Sequence, residues 1–230
     1  MFLGHSDTGK TTALVKAAVD AQKKGILPVF IITEQKWNWD HAVLMGFNKE
    51  DDFYLFNSDF EYIEQITEYI NDILDAQEKG DIDSDLLFLW DSVGSIPCRL
   101  SVESNKNNNE WNAGAMSQTF GNFINQKIVL SRKEEQTYTN TFLIINKTGV
   151  APAEGPMARP RMTNKGGDTF FYDASLVLTF GNVTNSGTSK IKAVKDKKAG
   201  PKKGVNPFAK KHESAMMPTG KKRPVQESTI

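Results

Sequence analysis

The chain has 230 residues, with 28 Lys/Arg balanced by 28 Asp/Glu, three histidines and one cysteine, Cys98. That length suits one α/β domain with a large core plus an appendage. A lone cysteine and scattered histidines exclude a disulfide framework and a cysteine metal cluster, and no apolar run approaches a membrane span or a secretory leader, so we expect an intracellular protein with no membrane partner.

Only Met1-Phe2-Leu3 precede the first motif, Gly4-His5-Ser6-Asp7-Thr8-Gly9-Lys10-Thr11, which satisfies G-x-x-x-x-G-K-[ST] at every fixed position. Glycines at both ends let successive N–H groups turn inward, and a helix opening at Lys10 aims its positive end at the same point. Lys10 is placed to reach terminal phosphates, and the Thr11 hydroxyl is the expected ligand of a bridging Mg2+. We take Gly4 to Thr12 as the candidate nucleotide contacts. The pattern calls for a strand before the loop, and most of that strand is expected to be missing.

Apolar residues at helical spacing from Ala13 to Ala21 predict a helix ending near Gly25. Val29-Phe30-Ile31-Ile32 reads as a strand covered on both faces and ends at Thr33-Glu34. Glu34 is either a solvent-exposed strand end or a carboxylate facing the γ-phosphate to orient water. Phe53 to Phe56 reads as another strand. A capping box at Ser58–Glu61 then opens a helix striped by Ile63, Ile66, Ile70, Ile73 and Leu74, running to about Lys79.

Leu86 to Trp90 is a second continuous apolar strand, followed by Asp91-Ser92. Asp91 is placed either as a magnesium-linked carboxylate or as a helix cap. Residues 94–112 lack periodicity and read as a mobile loop. A helical pattern returns over 113–132, and Thr141 to Asn146 supplies a further buried strand. Lys147 to Lys165 reads as a second long loop, closing on Gly166-Gly167. Strands at Ala174–Phe180 and Lys190–Val194 predict a hairpin.

Beyond Gly200 apolar periodicity vanishes, and residues 201–230 are expected to be a disordered basic tail appended to a 1–200 core. Charge is polarised: from Lys190 to Arg223 twelve Lys/Arg face only Asp196 and Glu213, a net +10, whereas the preceding chain carries −9. The basic end is either polyanion-facing or simply solvated.

Taken in order, Phe30-Ile31-Ile32-Thr33-Glu34, Leu89-Trp90-Asp91-Ser92-Val93-Gly94-Ser95-Ile96-Pro97, Met116-Ser117-Gln118, Ile144-Ile145-Asn146-Lys147, Gly166-Gly167-Asp168-Thr169-Phe170-Phe171-Tyr172-Asp173-Ala174-Ser175 and Lys192-Ala193-Val194-Lys195-Asp196-Lys197 resemble the ATPase core of RecA family recombinases, phage-encoded members included. The resemblance implies a RecA-like P-loop NTPase core: a mostly parallel central sheet flanked by helices, a C-terminal β-hairpin and a basic tail. It implies ATP and Mg2+ as cofactors, Glu34 as the carboxylate for water and Asp91 as the magnesium-linked acid. It also implies two DNA-binding loops, one after Ile96 with Arg99 and Lys106, the other with Arg159, Arg161, Lys165, Gly166 and Gly167. Lys195 and Lys197 align with residues that cross to a neighbouring subunit's phosphates.

Lys147 stands where the family has a sensing glutamine, and Val43 falls near the place of an adenine-stacking aromatic. The N-terminal assembly module is expected to be missing. The implied function is DNA-dependent ATP hydrolysis in recombinational repair on single- and double-stranded DNA. A homo-oligomeric filament would form if the assembly module is present, in the cytoplasm of a bacterial host. A helicase-type motor and a truncated ATP- and DNA-binding accessory protein are the alternatives.

Overall fold

The computed structural model describes residues 1–34, 36–106, 118–119, 121–123, 137–151, 161–164, 169–184 and 189–196. The elements in chain order are β1 (Phe2–Gly4), α1 (Lys10–Lys23), β2 (Leu27–Ile32), α2 (Trp39–Leu44), β3 (Leu55–Asn57), α3 (Ile63–Lys79) and β4 (Leu86–Asp91). They continue with a 3-10 turn (Val93–Ser95), α4 (Arg99–Lys106), β5 (Thr141–Ala151) and β6 (Arg161–Asn164). Last come α5 (Thr169–Asp173), β7 (Leu176–Val183) and β8 (Ser189–Asp196).

One sheet joins these strands in the order β3-β2-β4-β5-β1-β7-β8, with β6 paired to β5. Every pairing from β3 through to β7 is parallel, whereas β5–β6 and β7–β8 are antiparallel. The result is an α/β fold with a mostly parallel mixed sheet, compatible with P-loop and Rossmann-like architectures.

Alternation along the continuous apolar strands explains why both faces are covered. On β2, Leu27, Val29 and Ile31 point into a core shared with Ile63, Ile66, Ile70 and Ile73 of α3. Phe30 and Ile32 point the other way, into a core with Leu14, Val15 and Ala18 of α1. All six residues of β2 and of β4 are buried, as parallel strands sandwiched by helices must be.

Several expectations are corrected. The cap of α3 is not the Ser58–Glu61 box. Gln65 reaches back instead, its Oε1 accepting from the Glu61 and Tyr62 N–H groups, and the Ile63 N–H donates to the Pro97 carbonyl. The stretch after Ile96 contains α4 where a loop was expected. β5 runs on to Ala151 and pairs with β6, so the ends of the expected Lys147–Lys165 loop form an antiparallel ladder. α2 and α5 were not foreseen. Within 113–132 only residues 118–119 and 121–123 are described, as helix. The tail, 201–230, lies outside the described residues, none of whose helices is long and apolar enough to cross a membrane.

The strand before the phosphate loop is present but three residues long, and it is paired on both sides: Gly4 stands opposite Lys147 of β5 and Phe180 of β7. A Cβ at Gly4 would lie 2.7 Å from the Phe180 carbonyl oxygen and 3.2 Å from Thr8 Oγ1. Because the closest obstacle is backbone, a side chain there must push β1 and β7 apart. Gly4→Ala is expected to lower unfolding free energy by about 1–3 kcal/mol in denaturant titration; an unchanged midpoint would show that the strand yields freely.

Candidate functional site

The strand order sets the site. β2, β4, β5 and β1 lie side by side and run parallel, so their C-terminal ends emerge together. Such ends are where open α/β sheets take ligands. Glu34 follows β2, Asp91 ends β4, Lys147 lies in β5 and the Gly4–Thr11 loop follows β1. They line one cleft of about 800 Å³.

The loop has the shape its sequence demands. Asp7 (φ 61°) and Gly9 (φ 87°) take left-handed conformations, open at low cost to glycine and more tolerable for aspartate than for most residues. The first turn of α1 carries no acidic residue to occupy its N–H groups. The Lys10 ammonium donates to the His5 carbonyl and, at 3.3 Å, to Thr8 Oγ1, which itself donates to the His5 carbonyl at 2.9 Å. Burial pulls the Lys10 ammonium below its ordinary pKa, with Asp91 working in the opposite direction.

Thr11 and Asp91 converge from α1 and β4: Thr11 Oγ1 donates to Asp91 Oδ2 at 2.6 Å. A hydroxyl and a carboxylate so placed are hard oxygen donors of the kind magnesium takes together with phosphate oxygens and water. No group of three or more His, Cys, Asp or Glu side chains suited to a metal occurs among the described residues. Asp91 is 4% exposed, and burial pushes its carboxyl above the usual carboxylate range despite the Thr11 bond.

The end of β2 is sewn to the end of β4. Thr33 N–H donates to the Asp91 carbonyl at 2.8 Å, and Thr33 Oγ1 donates to the Ser92 carbonyl at 2.7 Å. Glu34 is thereby fixed over β4, where its Oε1 accepts from Ser92 Oγ at 2.9 Å and Ser95 Oγ at 3.3 Å and pairs with the Lys147 ammonium. Burial works to raise the Glu34 carboxyl, but the bonds from Lys147 and Ser92 outweigh it and hold the group below its usual range.

Of the predicted residues, the phosphate loop, Glu34, Asp91 and Lys147 therefore meet. Thr12 lies at their edge, its Oγ1 3.3 Å from His41 Nε2 of α2. Lys195 does not join them within this chain: its ammonium donates to the Phe171 carbonyl at 2.8 Å and to the Tyr172 carbonyl, at the end of α5. Arg99 is exposed, stacked on the Tyr62 ring at 4.8 Å and donating to its hydroxyl at 2.8 Å. Lys106 and Arg161 are placed on α4 and β6 by their backbone alone. Arg159, Lys165, Gly166, Gly167 and Lys197 lie outside the described residues. Val43, near the expected stacking position, is 49% exposed on α2.

Sequence reasoning missed Ser92, Ser95, Lys36 and His41. The two serines carried a signal, hydroxyls three apart in the turn after an acid-terminated strand. Lys36 lines the cleft from the stretch after Glu34, whereas the approach of His41 to Thr12 joins residues distant in sequence and left no local trace. Compared with protein-family models the chain matches none, and no curated protein matches it in sequence.

The buried Asp91 carries a pH signature. Its folded pKa stands above the unfolded value, so the charged form costs stability above that pKa and the cost fades as protonation proceeds below it. Asp91→Asn, measured by thermal unfolding without nucleotide or divalent cation, is expected to raise the midpoint at neutral pH. That gain should shrink as pH falls toward the ordinary carboxylate range, and a pH-independent effect would refute the assignment.

Proposed function

We propose that this chain is a magnesium-dependent ATPase of the RecA recombinase type, whose hydrolysis is coupled to single-stranded DNA and serves pairing with a homologous duplex. The observation that supports it most is the meeting of a complete phosphate loop with Glu34, Asp91 and Lys147 at one end of a parallel sheet. The RecA-like order of motifs along the sequence supports the finer reading of the fold.

In this reading the loop N–H groups, the α1 terminus and Lys10 bind the triphosphate. Thr11 and Asp91 are the residues that would hold Mg2+, and the ion would supply positive charge to offset that of the phosphates. Glu34, oriented by Ser92 and Ser95, positions the attacking water and takes its proton, and Lys147 meets the terminal phosphate. DNA would be gripped through its backbone by basic residues after Ile96 and around the β5–β6 ladder. Lys195 and Lys197 would act across an interface between copies in a filament.

Steady-state assays test both halves. Lys10→Ala is expected to abolish triphosphate binding. Glu34→Gln should retain binding while hydrolysis slows by about 10²–10⁴-fold. Single-stranded DNA should raise the wild-type rate, and its binding should weaken as salt rises. Normal turnover in Glu34→Gln would remove Glu34 from its role, and hydrolysis indifferent to DNA would overturn the coupled function.

A further inference from the structure

Lys147 sits between two possible anionic partners. Its backbone is paired with Gly4, the first residue of the phosphate loop, while its ammonium crosses the end of β4 to Glu34. The charge it carries acts on Lys10 and on Asp91 as well, so it lies within electrostatic reach of the phosphate-binding groups. Glu34 Oε1, the atom it pairs with, also accepts from two serine hydroxyls, which leaves that oxygen heavily engaged. Lys147 and Glu34 are each about a quarter exposed, so the pair can part without uncovering a buried charge.

We propose that Lys147 is a shared cation contested between Glu34 and the terminal phosphate of a bound triphosphate, so that Glu34 becomes available to orient water only when phosphate has drawn the ammonium away. This deepens the triphosphate reading above and rests on it. Lys147 acts here as a positioning residue, coupling occupancy of the loop to the readiness of the carboxylate. Because linkage is reciprocal, the carboxylate must weaken triphosphate binding by the same factor that the triphosphate weakens the ion pair. A neutral side chain at 147 could not be contested in this way.

The test is a double-mutant cycle read as affinity rather than turnover, using titration with a slowly hydrolysed ATP analogue and Mg2+. With Lys147 present, Glu34→Gln is expected to tighten binding about two- to tenfold, as removal of a partly exposed charged partner allows. In a Lys147→Met background the same substitution should leave affinity essentially unchanged. A Lys147→Arg background should restore the tightening.

Equal tightening in the Lys147→Met background would mean that Glu34 merely repels phosphate through space, and the shared-cation proposal would fall. Absence of tightening with Lys147 present would overturn it equally. A wild-type chain that binds no analogue would instead sink the triphosphate reading, and the inference with it.

Discussion

Charged groups at the end of a sheet whose inner strands β2 and β4 are wholly buried need partners, and that constraint organises this molecule. Among the charged groups that line the cleft above β2, β4, β5 and β1 are the carboxylates of Glu34 and Asp91 and the ammonium groups of Lys10 and Lys147. Each is held by specific partners: Asp91 by Thr11, Glu34 by Lys147 and Ser92, and Lys10 by the carbonyl and hydroxyl of its own loop. Loss of the Thr11 hydroxyl would leave the buried Asp91 carboxylate short of a partner, and an orphaned buried polar group costs about 1–3 kcal/mol. The polar network and the hydrophobic sandwich beneath it are therefore one structural problem.

Strand order solves it geometrically. Neighbouring strands lie about 4.8 Å apart, so β5, placed between β4 and β1, sets Lys147 one strand from the phosphate loop and two from Glu34. A long, flexible cation can bridge that span with a glutamate at its far side. The backbone of Glu34 is anchored through its neighbour Thr33, whose N–H donates to the Asp91 carbonyl and whose hydroxyl donates to the Ser92 carbonyl. Beneath it, Phe30 anchors an aromatic cluster with Trp37, Trp39, Phe47, Tyr54 and Phe56, ring centroids 5.2–6.4 Å from its own. The stretch after Glu34, with its two tryptophans, folds back onto β2 to complete that cluster.

The parts legible in the sequence were those whose cause is local. Continuous apolar runs announced β2 and β4, a 3.6-residue stripe announced α3, and the phosphate loop carried its own torsional requirements in Gly4 and Gly9. What escaped was set by distant partners. α2 and α5 are too short to display a stripe. The extension of β5 past Lys147, Thr148-Gly149-Val150-Ala151, has no continuous apolar run to announce it, and its antiparallel pairing with Arg161–Asn164 joins residues distant in sequence. Ser58 looked like a cap by spacing, yet Gln65 does that work from within the helix, where a long side chain can reach both Glu61 and Tyr62. At the site, carboxylates and loop were readable from the strands they terminate, whereas the serine partners of Glu34 depend on how the turn after β4 folds over β2.

The same network bears on how anything anionic would bind here. Lys10 already donates to His5 and Thr8, Thr11 already donates to Asp91, and Lys147 is already paired with Glu34. A phosphate entering the cleft must exchange these bonds, not simply add to them, so its affinity is the difference between two well-satisfied arrangements. Burial tips the exchange for Lys10, whose ammonium is held below its ordinary pKa by desolvation. A full negative charge would serve it better than a carbonyl and a hydroxyl can. For Asp91 the balance is opposite, since its buried carboxylate gains most from a cation placed beside the Thr11 hydroxyl. An anion beside Lys10 and a cation beside Asp91 would sit at adjacent points of one cleft, and each would make the other's entry less costly.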